Sequence, residues 1–239
     1  MEKDLAELVD GLKLAAGANL KAVVLYGSAA TGEFQPRHSD LNILCVLERL
    51  DGAELQKLTH TSRWWEKKGH PAPLVFDRDE LHRSADVFAI EFLDIQRSNR
   101  VLFGENIFAN FDVPLDLHRQ QIERELRTNV LRLRQSYLTA AKNEKALHRL
   151  LTESISSFIV LFRHALLAEG APVPQSRRAV VESLAAKLGF DAVGVLQVLG
   201  LREAVREPSY AELERVFHAY LGAVTHVVEE IDRRFDQLQ

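Results

Sequence analysis

Two short polar motifs near the start of the chain have residue types that could bind a phosphate and a cation. Gly27-Ser28 ends an apolar run, and Asp40 and Asn42 begin the next one, residues 41–47. Glycine lets the backbone turn tightly and lets a phosphate approach without a Cβ in its way. A serine at the start of a short helix offers a hydroxyl group and free N–H groups to anionic oxygens. The Gly27-Ser28 turn is therefore predicted to bind phosphate.

Asp40 and Asn42 have the spacing of a metal-binding strand. Side chains two residues apart on a strand point to the same face of the sheet. Their oxygens are potential ligands for Mg²⁺, a hard cation that prefers charged oxygens. A third acidic residue on a neighbouring strand would complete the site, and Glu91 is our candidate because residues 88–93 resemble a buried strand. The weaker alternatives are Asp77, Asp79 and Asp94.

Together these residues resemble the signature of the nucleotidyltransferase superfamily, which includes DNA polymerase beta and the aminoglycoside nucleotidyltransferases. The matching pattern is Gly27-Ser28 after an apolar residue, then a loop, then Asp40-Leu41-Asn42-Ile43. In that family a third carboxylate follows on a later strand, and residues 90–104 resemble that region. The resemblance covers residues 20–104. It departs from the family pattern at Asn42, where relatives carry a second carboxylate.

The resemblance implies transfer of a nucleoside monophosphate, as AMP from ATP, to a hydroxyl of a small-molecule acceptor. In the family mechanism, two Mg²⁺ ions stabilise the attacking and leaving oxygens at the α-phosphate. By position, Asp40 would bind both ions. Glu91 would bind the ion that activates the nucleophile and would accept its proton. The nucleotide would be held by Gly27, Ser28 and Ser39.

Asn42 makes weaker metal binding the expectation, because an amide ligand lacks a full negative charge. A unit charge close to a divalent ion contributes several kcal/mol even at an effective dielectric constant of about 20. A structural role for Asn42 stays open. So do two other functions: a catalytically degenerate member that serves as a nucleotide-binding, regulatory or scaffolding module, and an adenylyltransferase that acts on a protein partner.

The composition limits the class of protein. The chain has 239 residues, of which 46% are hydrophobic and 27% charged, which is typical of a globular protein with one large domain or two small ones. A net charge of −4 gives no general attraction to nucleic acid or anionic membranes. We expect neither partner, and a homodimer is compatible with the sequence. The N-terminus lacks signal-peptide features and the single Cys45 lies in an apolar run, which favours a cytoplasmic location.

The elements that must position the site divide the chain in two. Residues 1–110 mix strand and helix signals, which predicts an α/β (α+β) nucleotidyltransferase-type domain with a small mixed β-sheet. Residues 111–239 have helical periodicity, which predicts an all-α helical bundle. The acceptor is expected between the two domains. A second general base could come from the bundle, with Glu123, Glu125 and Glu153 as candidates.

Overall fold

The computed structural model describes residues 1–30, 40–201, 206 and 208–236, apart from the side chains of Ser28 and Asp236. These residues form two compact units, Met1–Asp116 and Leu117–Gln239. The first unit contains the sheet and the second contains helices. The composition shift in the sequence predicts a boundary after residue 110.

The first unit alternates helices with short strands. Two single 3-10 turns, Gly17–Asn19 and Gly27–Ala29, precede and follow the first strand. The regular elements of this unit are α1 (Glu2–Ala16), β1 (Leu20–Tyr26), β2 (Asn42–Leu47), α2 (Gly52–Lys67), β3 (Leu74–Asp77), α3 (Arg78–Arg83), α4 (Ala89–Arg97) and β4 (Asn99–Gly104).

The sheet is small and mixed, as the sequence predicts. Its order is β3-β2-β1-β4; β1 runs antiparallel to both of its neighbours, and β2 and β3 are parallel. Tyr26, the last residue of β1, pairs with Asn42 on one side and with Asn99 on the other. This register brings the end of β1 next to the start of β2 and the start of β4.

Each face of the sheet packs against different helices. Val23, Ile43 and Cys45 are buried against α1 and α2, and burial raises the pKa of the Cys45 thiol to about 12. Val24 and Leu44 are buried on the opposite face, against residues of α3 and α4. Because side chains alternate along a strand, the position of Asn42 shares the face of Leu44. Asn42 therefore belongs to the side of the sheet that α3 and α4 cover.

The strand predicted around Glu91 is wrong, because these residues form helix α4. The buried positions of α4 are Ala89, Ile90, Phe92 and Ile95, a spacing that fits one helical face. Glu91 is exposed on this helix. A short apolar run does not separate a strand from a buried helix by periodicity alone, which explains the error.

The second unit is a helical bundle, as predicted. Ile122, Leu126, Val130 and Leu133 form a buried stripe along its first helix. Polar side chains mark two of the helix starts: Asn143 accepts a hydrogen bond from the Ala146 N–H and Ser176 from the Ala179 N–H. The helices are α5 (His118–Ala140), α6 (Glu144–Ala168), α7 (Arg177–Leu188), α8 (Val193–Leu201) and α9 (Tyr210–Asp236).

Helix α6 is the most apolar of the long helices. By length and composition it is the one helix among the described residues that could cross a membrane. Half of its most apolar stretch is buried, and α6 packs against α5, α7, α8 and α9. Its position at the centre of the bundle accounts for its apolar sequence.

Candidate functional site

Gly27 shapes the turn that follows β1. Its φ of +79° lies in the left-handed region, where glycine carries no Cβ penalty. Its N–H donates a 3.0 Å hydrogen bond to the Ser98 carbonyl, and its own carbonyl accepts one of 2.9 Å from the Ala30 N–H. The N–H of Gly27 is thus bonded within the protein. The contribution of this residue is the shape of the turn and its attachment to the start of β4.

Asn42 lies directly beside this turn. A Cβ placed on Gly27 would be 3.4 Å from the Asn42 Nδ2 atom. Asn42 is half-buried as the first residue of β2, and Asp40, two residues earlier, is exposed. The structure therefore brings together the Gly27 turn and Asn42, the first residue of β2, at one end of the sheet. Ser39 lies outside the described residues, as does the side chain of Ser28.

Glu91 is close to this end of the sheet, although it does not come from a strand. Burial raises the pKa of Tyr26, and the negative charge of Glu91 raises it further. Tyr26 is the residue immediately before Gly27 and packs on the α4 side of the sheet. Glu91 is thus within electrostatic reach of the β1 end, where its exposed carboxylate is open to solvent.

In the part of the chain that the structure describes, β3 and β4 carry no carboxylate at their N-terminal ends, which lie at the same end of the sheet as Asn42. In β3 the acidic residue is Asp77, which pairs with Leu47 at the opposite end of β2 and accepts a 2.7 Å hydrogen bond from the Glu80 N–H. In β4 the site end is Asn99, whose Nδ2 atom donates to the Ile95 and Gln96 carbonyls at the end of α4. The remaining sequence candidates, Asp79 and Asp94, lie on α3 and α4.

His70 is a neighbour of Asp40 that sequence reasoning missed. Its Nδ1 atom accepts a hydrogen bond of 3.4 Å from the Leu41 N–H, and its ring centroid lies 4.5 Å from that of Trp65. Burial lowers the pKa of His70, and the negative charges of Asp40 and Asp4 oppose that effect. Sequence reasoning could have found this contact only from the pairing of β2 with β3, and the sequence alone does not show which strands pair.

The two tryptophans of α2 have different environments. Trp65 is fully buried, and Trp64 is half-buried with the Lys68 Nζ atom 5.4 Å from its ring centroid. An amphipathic helix with one tryptophan inward is what the sequence favours, and the structure confirms it. Trp65 therefore acts as a core residue and as the surface on which His70 packs.

The candidate bases of the second unit are partly occupied by ion pairs. Glu123 accepts a 2.7 Å hydrogen bond from Arg127, and Glu153 accepts one of 2.6 Å from Arg149. Glu125 lies on α5 as well. These ion pairs on the helix surface give no reason to prefer any of the three as a base.

The donor set fits one magnesium ion better than two. Among the described residues there is no group of three or more His, Cys, Asp or Glu side chains that could hold a metal ion. Asp40 and Asn42 provide one carboxylate and one amide. Mg²⁺ is commonly held by one or two carboxylates together with substrate phosphates and water, and these two residues suit that arrangement. They do not suit a two-ion centre built from protein carboxylates.

Comparison with known proteins identifies the fold. A crystal structure of the spectinomycin adenyltransferase AAD(9) from Enterococcus faecialis, with ATP and spectinomycin, matches 97% of this chain and 99% of its own, with a TM-score of 0.61 at 13% identity. A toxin–antitoxin structure with AMP-PNP matches 52% of this chain and 97% of its own (TM-score 0.33, 18% identity). A mutant of the toxin–antitoxin MntA-HpeT matches 53% of this chain and 98% of its own (TM-score 0.35, 17% identity). No family model and no curated protein matches the sequence. The chain therefore shares the fold of the AAD(9) structure.

Proposed function

We propose that this protein is a nucleotidyltransferase that transfers AMP from ATP to a hydroxyl of a small-molecule acceptor. The observation that supports this function is the closeness of the Gly27 turn to Asn42, two residues after Asp40, in a chain whose fold matches AAD(9) over nearly its full length. That adenyltransferase was crystallised with ATP and spectinomycin.

Each residue of the site has a role in this proposal. The Asp40 carboxylate and the Asn42 amide would hold the Mg²⁺ that accompanies the triphosphate, and this ion would offset the charge of the phosphate oxygens. The Gly27-Ser28 turn and Ser39 would contact the phosphates. Glu91 would act as general base, because an exposed carboxylate near the end of β1 is free to approach an acceptor hydroxyl.

The reaction forms one bond and breaks one. The acceptor oxygen attacks the α-phosphorus of ATP, the bond from that phosphorus to the bridging oxygen breaks, and pyrophosphate leaves. The hydroxyl proton passes to Glu91. A cytoplasmic location fits this proposal, because ATP is abundant there and Cys45 is a free buried thiol.

Calorimetric titration of ATP, GTP, CTP and UTP into the pure protein, with Mg²⁺ and with EDTA, tests the first half of this proposal. We expect Mg²⁺-dependent binding with a preference for ATP. Pyrophosphate release from ATP, with spectinomycin as the first acceptor probe and a library of hydroxylated small molecules as the second, tests the transfer step. Failure of every nucleotide to bind, with or without Mg²⁺, would overturn the proposed function.

A second function is favoured by one observation, the absence of a carboxylate at the site end of the described strands β3 and β4. A member that binds nucleotide without transferring it needs Asp40 and the Gly27 turn but no general base. ATP binding in the wild type, unaltered affinity in Glu91→Gln and no pyrophosphate release with any acceptor would support this regulatory or scaffolding role. Acceptor-dependent pyrophosphate release that is lost in Glu91→Gln would exclude it.

A further inference from the structure

His70 and Asp40 lie in the segments that lead into two paired strands, β3 and β2. The parallel register between β2 and β3 joins residues with a constant offset of 30, from Leu44 with Leu74 to Leu47 with Asp77. The segments that precede these pairs, residues 40–43 and 70–73, approach the pairing from the same end of the sheet. The 3.4 Å hydrogen bond from the Leu41 N–H to His70 Nδ1 shows that the two segments remain in contact there.

The imidazole ring of His70 is held by the hydrophobic core. Its centroid lies 4.5 Å from that of Trp65, and the two ring planes are tilted by 40°. Trp65 is completely buried, on the face of the sheet that α1 and α2 cover. The start of α2 is fixed as well, because the Asp51 carboxylate accepts a 2.9 Å hydrogen bond from the Glu54 N–H. The ring therefore has a fixed support in the buried side chain of Trp65.

The acceptor in the hydrogen bond from Leu41 is the Nδ1 atom of His70. The Leu41 N–H is a donor, so Nδ1 must carry the lone pair and the neutral ring carries its proton on Nε2. The Leu41 nitrogen belongs to the peptide unit that joins Asp40 to Leu41, and a peptide unit is planar. A bond that fixes this plane also fixes the position of the Asp40 Cα atom, from which the side chain leaves the chain.

We infer that His70 is a positioning residue for Asp40. Its Nδ1 atom holds the Asp40–Leu41 peptide plane, and Trp65 holds the ring. The neighbouring strand segment thus contributes an imidazole that orients the one carboxylate at the start of β2, in place of a third carboxylate. This inference rests on the proposed function for the identity of what Asp40 binds, the Mg²⁺–ATP complex.

Two substitutions separate the hydrogen bond from the ring packing. His70→Phe keeps an aromatic ring on Trp65 but removes the acceptor, whereas His70→Asn keeps an acceptor near the position of Nδ1. His60→Phe is the matched control, because His60 is exposed on α2. With Mg²⁺–ATP as calorimetric probe, we expect about tenfold weaker binding for His70→Phe, since an unsatisfied N–H disturbs the peptide plane. Affinity should return to within about threefold of wild type in His70→Asn, and His60→Phe should bind like wild type.

Hydrogen exchange of the Leu41 amide, followed by NMR, reads the same contact without nucleotide. We expect about tenfold faster exchange in His70→Phe and recovery in His70→Asn. Wild-type ATP affinity in His70→Phe, or unchanged Leu41 exchange, would overturn the inference and leave the proposed function intact. Equal losses in His70→Phe and His70→Asn would also overturn it, since a purely structural role predicts no rescue. If the wild type binds no nucleotide, the proposed function fails, and the exchange data alone decide whether His70 holds the peptide.

Discussion

The two units of this protein place their polar side chains in opposite ways. At the end of the sheet, Asp40 and Glu91 are exposed and Asn42 is half-buried. In the helical unit, His118 and His164 are only 2% and 3% exposed, and their rings form a 2.9 Å hydrogen bond between Nε2 and Nδ1. Buried polar groups destabilise a protein unless they are paired, so the histidines satisfy each other. The polar groups at the sheet end remain accessible to a ligand.

This difference in burial predicts that substitutions in the helical unit affect fold stability, whereas substitutions of exposed residues at the sheet end affect nucleotide binding. Changes inside the helical unit should lower the free energy of unfolding, because they disturb closely packed or buried groups. Removal of the exposed Asp40 side chain at the sheet end should lower nucleotide affinity with little effect on stability, because exposed side chains contribute little to stability.

Acidification should destabilise the helical unit through the buried histidine pair. Burial, aided by the charges of His164 and Arg119, lowers the pKa of His118 from 6.5 to about 4. The unfolded chain therefore takes up the proton first as the pH falls. Stability is lost between pH 6.5 and pH 4, by about 3 kcal/mol in total. Urea unfolding followed by far-UV circular dichroism at pH 7 and pH 4.5 measures this loss.

A variant without the pair provides the comparison. The double change His118→Leu with His164→Leu removes both partners, which avoids leaving one of them unpaired. We expect its stability to fall less than that of the wild type over the same pH range. Trp64 and Trp65, both in α2 of the first unit, should report a smaller acid effect by fluorescence. An equal pH dependence in the wild type and the double variant would contradict this account.

Close packing between α8 and α9 gives the second prediction. A Cβ on Gly194 would lie 2.4 Å from the Ala219 carbonyl carbon and 2.5 Å from the Tyr220 nitrogen. Gly194→Ala must therefore push the two helices apart, and we expect a loss of about 2 kcal/mol in thermal or urea unfolding. Gly200→Ala is the control on the same helix, because a Cβ there meets nothing within 4 Å. We expect that change to be neutral or stabilising, by up to about 1 kcal/mol.

Charge at the start of β2 gives the third prediction. Asn42→Asp should strengthen Mg²⁺–ATP binding by about tenfold, or about 1.4 kcal/mol, because a second carboxylate attracts the cation. Asn99→Asp is the control on the other side of Tyr26, where the amide donates to two carbonyls. That change should cost stability and bring no gain in affinity. Weaker or unchanged binding in Asn42→Asp would assign Asn42 a structural role.

Much of the fold was predictable, because the strongest sequence patterns coincide with packing. The buried stripe of α5 and the apolar strands β1 and β2 follow directly from periodicity. The run around Glu91 was misjudged as a strand, since its burial depends on α4 packing against the sheet.

The site could be predicted only where its residues are close in sequence. Gly27, Asp40 and Asn42 form a local pattern around one turn and one strand. His70 reaches Asp40 through strand pairing, and His118 meets His164 through the packing of two helices, so neither contact has a local signal. Long-range contacts of this kind become visible only when the topology is known.

The central claim is that Asp40 marks a nucleotide site whose integrity is independent of fold stability. Calorimetric titration of Mg²⁺–ATP into wild type, Asp40→Ala and Asp10→Ala, with a melting curve for each protein, tests it most directly. Asp10 is an exposed aspartate on α1 and serves as the control. We expect wild-type affinity in Asp10→Ala, at least about a hundredfold loss in Asp40→Ala, and melting temperatures that agree within a few degrees. Unchanged ATP affinity in Asp40→Ala would contradict the claim.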